Sequence, residues 1–101
     1  MSQAFARPEK SLKSLIEMGT KGHFPLFFDE WMGELGSVDL GLTEREGYKA
    51  KRILDRLKEH RTIERQKVVL MGLSERERNL VMRAFLKMVE TKILDKRPEL
   101  H

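Results

Sequence analysis

The stretch from residue 74 to residue 96 constrains this chain more than any other part of it. On a helical wheel, Leu80, Val81, Met82, Ala84, Phe85, Leu86, Met88, Val89 and Ile93 cover well over half the circumference. Arg83, Lys87 and Glu90 share one narrow polar strip. A helix that is apolar nearly all round belongs inside a domain rather than on its surface. The other segments must wrap it, or a second subunit must. Its start is marked by Ser74-Glu75-Arg76-Glu77, a capping box in which the hydroxyl accepts from one orphan backbone N–H and the glutamate reaches back to another. Its stop is Arg97-Pro98, because proline cannot continue a helix.

The wrapping segments follow the same period. Thr43-Glu44-Arg45-Glu46 is a second capping box, and behind it Ala50, Ile53, Leu54 and Leu57 form one apolar stripe. Continued at helical spacing, that stripe meets His60, Arg61 and Glu64 before reaching Val68 and Met71. A line of apolar groups interrupted by three polar ones predicts a break near Arg61-Thr62, with Thr62 as a fresh N-cap. The alternative is one long helix over 44–71 with a wet middle. Gly72-Leu73-Ser74 then reads as a turn: Gly72 in the left-handed C′ position, Leu73 as the apolar contact after it, Ser74 as the next N-cap.

The first third is less regular. Met1 to Arg7 is polar, and fraying is expected there. Pro8 suits a first helical position and Gly19 a C′ position, which gives a short helix over 8–18 bearing Leu12, Leu15 and Ile16 on one face. Pro25 opens a second helix, along which Phe24, Phe27, Phe28, Trp31 and Leu35 recur at i, i+3, i+4, i+7 spacing. Residues 37–42 alternate Val38, Leu40 and Leu42 with polar or small groups, as a strand would. No other segment could pair with it, so it is expected to be an extended connector. The fold predicted is all-α: one domain over residues 1–101, built as a small compact bundle of four to five helices with an αα-hairpin turning at 72–74.

Composition narrows the function. The chain has no cysteine, so disulfides and thiolate chemistry are excluded, and a reducing, cytoplasmic setting is expected. No apolar run approaches the ~18–20 residues of a membrane span. His23, His60 and His101 are scattered, and no Asp-rich loop or Gly-rich phosphate cradle accompanies them. The expectation is therefore no catalytic activity, no cofactor, no metal and no small-molecule substrate.

What remains is binding. Phe27, Phe28, Trp31 and Leu35, on an acidic helix, have the form of a face that docks into a partner's groove. Four of the seven aromatic residues lie in that segment, which favours the plainer reading that they fill the core. The charge is uneven: residues 1–41 hold 4 Lys/Arg against 6 Asp/Glu, and residues 42–101 hold 16 against 10. A basic half can meet nucleic acid or an acidic partner. The candidate basic face comprises Arg45, Lys49, Arg52, Arg56, Arg76 and Arg83, on the helices over 45–67 and 76–83. Acidic residues interleave with it, and pairs such as Lys51 with Asp55 suggest a solvated surface.

The turn at 72–74 also invites comparison with a DNA-binding helix-turn-helix, since Arg76, Arg78, Asn79 and Arg83 begin the next helix. Against it stand the bulk of Val68 where helices would cross, the charge of Arg78 where an apolar group would be buried, and the apolar body of the helix. The function expected is a non-catalytic protein–protein interaction module (an adaptor, chaperone or regulator), with a second copy of the chain among its candidate partners. A nucleic-acid-binding regulator is the alternative.

Overall fold

A computed structural model of the chain describes residues 11–35 and 39–95; the expected fraying of 1–7 and the Arg97-Pro98 stop lie outside them. The first helix starts at Leu12 and not at Pro8, because Ser11 is extended and caps it, its Oγ accepting from the Ser14 N–H at 3.1 Å. The described residues are all-helical, with five helices and no strand: α1 Leu12–Gly19, α2 Asp29–Leu35, α3 Glu44–Leu57, α4 Ile63–Met71 and α5 Glu75–Asp95.

The starts of three helices follow directly from local chemistry. At α3, Thr43 Oγ1 accepts from the Glu46 N–H at 3.1 Å while Glu46 Oε1 accepts from the Thr43 N–H at 3.0 Å, closing the capping box. At α5, Ser74 and Glu77 make the same reciprocal pair at 3.1 and 3.2 Å. Thr62 caps α4 through the Arg65 N–H, at the predicted break. Such caps contribute roughly 1 kcal/mol each.

Two glycine assignments change. The left-handed residue after α1 is Gly22, at φ 81°, and not Gly19. The His23 N–H reaches the Met18 carbonyl and the Gly22 N–H reaches that of Gly19, which is the hydrogen-bond pattern of a Schellman ending. Gly19 is needed for a different reason. A β-carbon there would stand 2.8 Å from Val89 Cγ2 and 3.0 Å from Phe24 Cε1, so its absence lets α1 lie against α5. Gly72 is right-handed at φ −82°, because 72–74 continues α4 as a loosening right-handed turn.

The second helix also starts later than Pro25. Residues 24–28 form turns, and α2 begins at Asp29. Leu26 and Phe27 enter the core from this irregular segment, with the Phe27 ring edge-on to Phe85 at 5.1 Å between centroids. Of the predicted connector, 37 and 38 lie outside the described residues. Residues 39–42 form neither helix nor strand, with Leu40 and Leu42 half-buried and the Gly41 N–H donating to Asp39 Oδ1 at 3.0 Å.

Helix α5 is the central element. Leu80, Val81, Met82, Phe85 and Val89 are buried, and its main packing partners are α3 and α1. Leu15 of α1, Ile53, Leu54 and Leu57 of α3, Leu70 of α4, and Leu26, Phe27 and Leu35 complete the same cluster. The chain's own helices thus cover most of the apolar girth of α5, leaving Leu94 as its exposed large hydrophobic residue. The surplus that pointed to a second subunit at α5 is consumed internally.

Helix α4 departs from expectation in its facing. Val68 and Met71, predicted on the apolar stripe, are 65 and 58 % exposed, whereas Gln66 is only 3 % exposed. The break explains it: once the chain turns after Leu57, a stripe projected through 58–62 no longer describes the next helix.

Candidate functional site

The aromatic segment divides between core and surface. Phe27 and Leu35 are buried, so a partner of the folded chain meets only Phe28 and Trp31. Those two rings pack edge to face, with centroids 4.6 Å apart. Lys67 of α4 places its Nζ 4.2 Å from the Phe28 centroid, and the Arg78 guanidinium lies 4.6 Å from that of Trp31. Each cation over a ring contributes about 0.5–1 kcal/mol at a wet site. The aromatic pair thereby fastens α2 to α4 and α5, and Arg78 is held where a recognition helix would need it free.

The six cations of the predicted basic face do not act together. Arg45, Lys49, Arg52 and Arg56 are exposed along one line of α3, at i, i+4, i+7 and i+11. Lys49 is drawn to Glu77 of α5 at 3.6 Å. Glu77 itself is held below its ordinary carboxyl value, chiefly by the Ser74 N–H and further by Lys49. Arg76 is exposed at the start of α5. Arg83 is half-buried: its guanidinium donates to the Gly41 carbonyl and to Asn79 Oδ1, tying α5 to the 39–42 connector. Among the described residues the side chains of Arg45, Arg52, Arg56 and Arg76 have no hydrogen-bond or ion-pair partner. The comparison with a helix-turn-helix loses one of its objections as well, since exposed Val68 sits at no helix crossing.

A third feature is visible only in three dimensions. Two adjoining troughs, of about 600 and 540 Å³, run over the junction of α1, α3 and α5 and meet at Leu12, Lys58 and Met88. Leu12, Ile16 and Met88 give the first its apolar lining; Leu40, Leu42, Leu54 and Ala84 do so for the second. Volumes of this size and linings of this kind are those of binding clefts. Lysines line the troughs: Lys13, Lys58 and Lys92 in one, Lys51, Lys58 and Lys87 in the other, against Asp95 and Asp55.

Several of these lysines are paired. Lys51 and Lys58 share Asp55 at 3.2 and 3.5 Å, Lys87 meets Glu90 at 3.2 Å, and Lys92 meets Glu17 at 3.4 Å. The Asp55 carboxyl is held below its ordinary value, first by the hydrogen bond from Lys51. Exposed pairs of this kind are worth ~0–1 kcal/mol and yield easily to a competing carboxylate.

Gln66 also lines the first trough. Its Nε2 donates to the His60 carbonyl at 2.9 Å, an acceptor left open where α3 ends, and at 3.4 Å adds a second donor to the Leu57 carbonyl, which already accepts from the His60 N–H. Its buried Oε1 has no hydrogen-bond partner among the described residues.

The groove escaped the sequence because its lining comes from four helices and a connector far apart in the chain, with the apolar part from α1, α3, α5 and the connector. The one signal was the excess of apolar residues at 12, 40, 42, 84 and 88 over what a single stripe explains. Among the described residues no group of three His, Asp or Glu side chains is gathered as a metal site, and no helix is long and apolar enough to cross a membrane. No protein-family model matches the sequence, and comparison with curated proteins and with solved structures gives no match.

Proposed function

We propose that the chain is a non-catalytic, cytoplasmic protein–protein interaction module, and that it holds its partner in the groove over α1, α3 and α5. The groove carries this reading: an apolar channel assembled from four separate segments and left open, in a molecule whose other apolar side chains largely fill one core. Its residues offer surface contact and charge rather than paired acid–base groups. The aromatic side chains Phe28 and Trp31, already capped by Lys67 and Arg78, are a secondary contact at most.

The test uses two substitutions that fill the groove without touching the core. Gly47 has open space where a β-carbon would go, and Thr91 is exposed. Gly47→Trp and Thr91→Trp should leave the melting temperature within a few degrees while removing a protein captured by the unmodified chain from its native host. An unchanged set of captured proteins from both variants would sink the reading. Val68, Met71 and Leu94 are exposed large hydrophobics, which keeps a second copy of the chain among the partners. Light scattering across concentration decides that point, and a monomer throughout removes it.

The row Arg45, Lys49, Arg52 and Arg56 supports a second reading, nucleic-acid binding along α3. Phosphate contacts give affinity that falls steeply with salt, so a titration against random DNA and RNA separates the two. Absence of binding at low salt ends the second reading.

A further inference from the structure

Resting on the reading of the groove as a docking surface, we propose that its partner is an acidic amphipathic helix, seated across Leu12 and Met88 with its carboxylates among the lysines.

Shape and charge both bear on the occupant. The troughs are open to solvent and adjoin at Leu12, Lys58 and Met88, which suits a helix with successive apolar side chains entering each. A fatty-acid anion would instead need an enclosed tunnel and one cation at its mouth. Here the ammonium groups are spread along the channel. Lys51 and Lys58 on the α3 bank are two helical turns apart, about 10 Å at 1.5 Å per residue. Carboxylates at i and i+7 of a partner helix have that spacing. Lys51 and Lys58 hold the Asp55 carboxylate between them at 3.2 and 3.5 Å, which shows the geometry in which this bank takes a carboxylate.

The chain itself cannot readily supply such a helix. Residues 1–10 hold Arg7 and Lys10 against Glu9, and residues 96–101 hold Lys96 and Arg97 against Glu99, so neither of these stretches is acidic. The acidic element of the molecule is α2, with Asp29, Glu30 and Glu34 exposed, and its apolar side is already spent on the core and on the Phe28–Trp31 contact. A second copy therefore has no acidic helix with a free apolar face among the described residues. The occupant is a different protein.

The experiment follows amide shifts of the isotope-labelled full chain on titration with three probes. These are a helical peptide with Leu at i, i+3, i+4 and i+7 and Glu on its other faces, its Glu→Lys counterpart, and dodecanoate. The acidic peptide should move the amides of Leu42, Leu54, Ala84 and Met88 and bind about tenfold or more tighter than the basic one at low salt, as expected when rim charges are complementary rather than alike. The triple substitution Lys51→Glu, Lys58→Glu, Lys87→Glu changes exposed side chains only and should reverse that order. Equal affinity of the two peptides at the groove overturns the acidic partner but leaves a docking surface. Saturation by dodecanoate alone overturns it in favour of a small ligand. Nuclear Overhauser contacts from Phe5 to Met88 in the free chain overturn it in favour of the chain's own first residues. Loss of a native partner on Gly47→Trp without any peptide shift leaves the module reading standing and removes the acidic helix. Failure of both removes both.

Discussion

Helices α3 and α4 follow one another in the chain and share one core, yet they obey opposite rules. In α3 every buried residue is apolar, and Arg45, Lys49, Arg52 and Arg56 stand in water. In α4 the buried pair is Gln66 and Leu70, while Val68 and Met71 face out. Periodicity describes a helix that lies broadly on a core. It fails for a short helix whose position is set by what its neighbour's end requires: α4 must bring Gln66 to the open carbonyl of His60, and its apolar side chains go where that leaves them.

The largest effect expected is in α3. Leu57, fully enclosed, should cost about 2–5 kcal/mol on Leu57→Ala, as core truncations do. Chemical denaturation measures it, and a loss under 1 kcal/mol would remove α3 from the core. Next is the polar residue of α4. Gln66→Leu keeps the bulk but strands the His60 carbonyl, and a loss of roughly 1–3 kcal/mol is expected even as the unpaired Oε1 disappears. An unchanged or raised stability would show that the His60 carbonyl finds water and that Gln66 does not set the helix.

The third test applies one substitution at two helical sites. Gly19→Ala gains up to ~1 kcal/mol of helix propensity but drives a methyl into Val89, and overpacking costs ~1–3 kcal/mol, so a net loss is expected. Gly47→Ala in α3 meets nothing within 4 Å and should gain up to ~1 kcal/mol. Thermal melts of the pair should move in opposite directions; movement in the same direction refutes the close approach of α1 and α5. Smaller still, Val68→Gln with Met71→Gln should change stability by no more than ~0.5 kcal/mol, the range for surface positions. A larger drop would mean that the outer face of α4 is covered in solution, and light scattering would say whether by a second copy.

The subtlest effect is in acid. The folded-state pKa of Glu77 is depressed, chiefly by the Ser74 N–H, so the ionised carboxylate supports the start of α5 at neutral pH. That support is present above the ordinary glutamate value of ~4.3 and fades as pH falls through the lower folded value. Glu77→Gln should flatten this part of the stability–pH curve, which equilibrium unfolding at several pH values below 5 would reveal. A curve unchanged by the substitution would show that the cap carries no charge dependence.

Much of this molecule was written in short-range patterns. The helical class, the two capping boxes at Thr43 and Ser74, the Thr62 start and the central place of α5 all follow from contacts within a few residues or from one helix's own circumference. Such interactions close over three or four positions, so the sequence states them outright. The surface positions were only half legible. That Arg45, Lys49, Arg52 and Arg56 share one line is helical arithmetic; that Phe27 and Leu35 turn inward, and that Arg78 and Arg83 are spent on Trp31 and Gly41, is not.

What only the tertiary structure decided is where separate segments meet. The need for glycine at 19, the outward face of α4, and a groove lined from α1, the 39–42 connector, α3 and α5 arise from the angles at which helices cross after a turn. No local pattern encodes those angles. They are fixed when the whole set of side chains packs at once around Phe85 and Val81, and the surface the chain offers to other molecules is fixed with them.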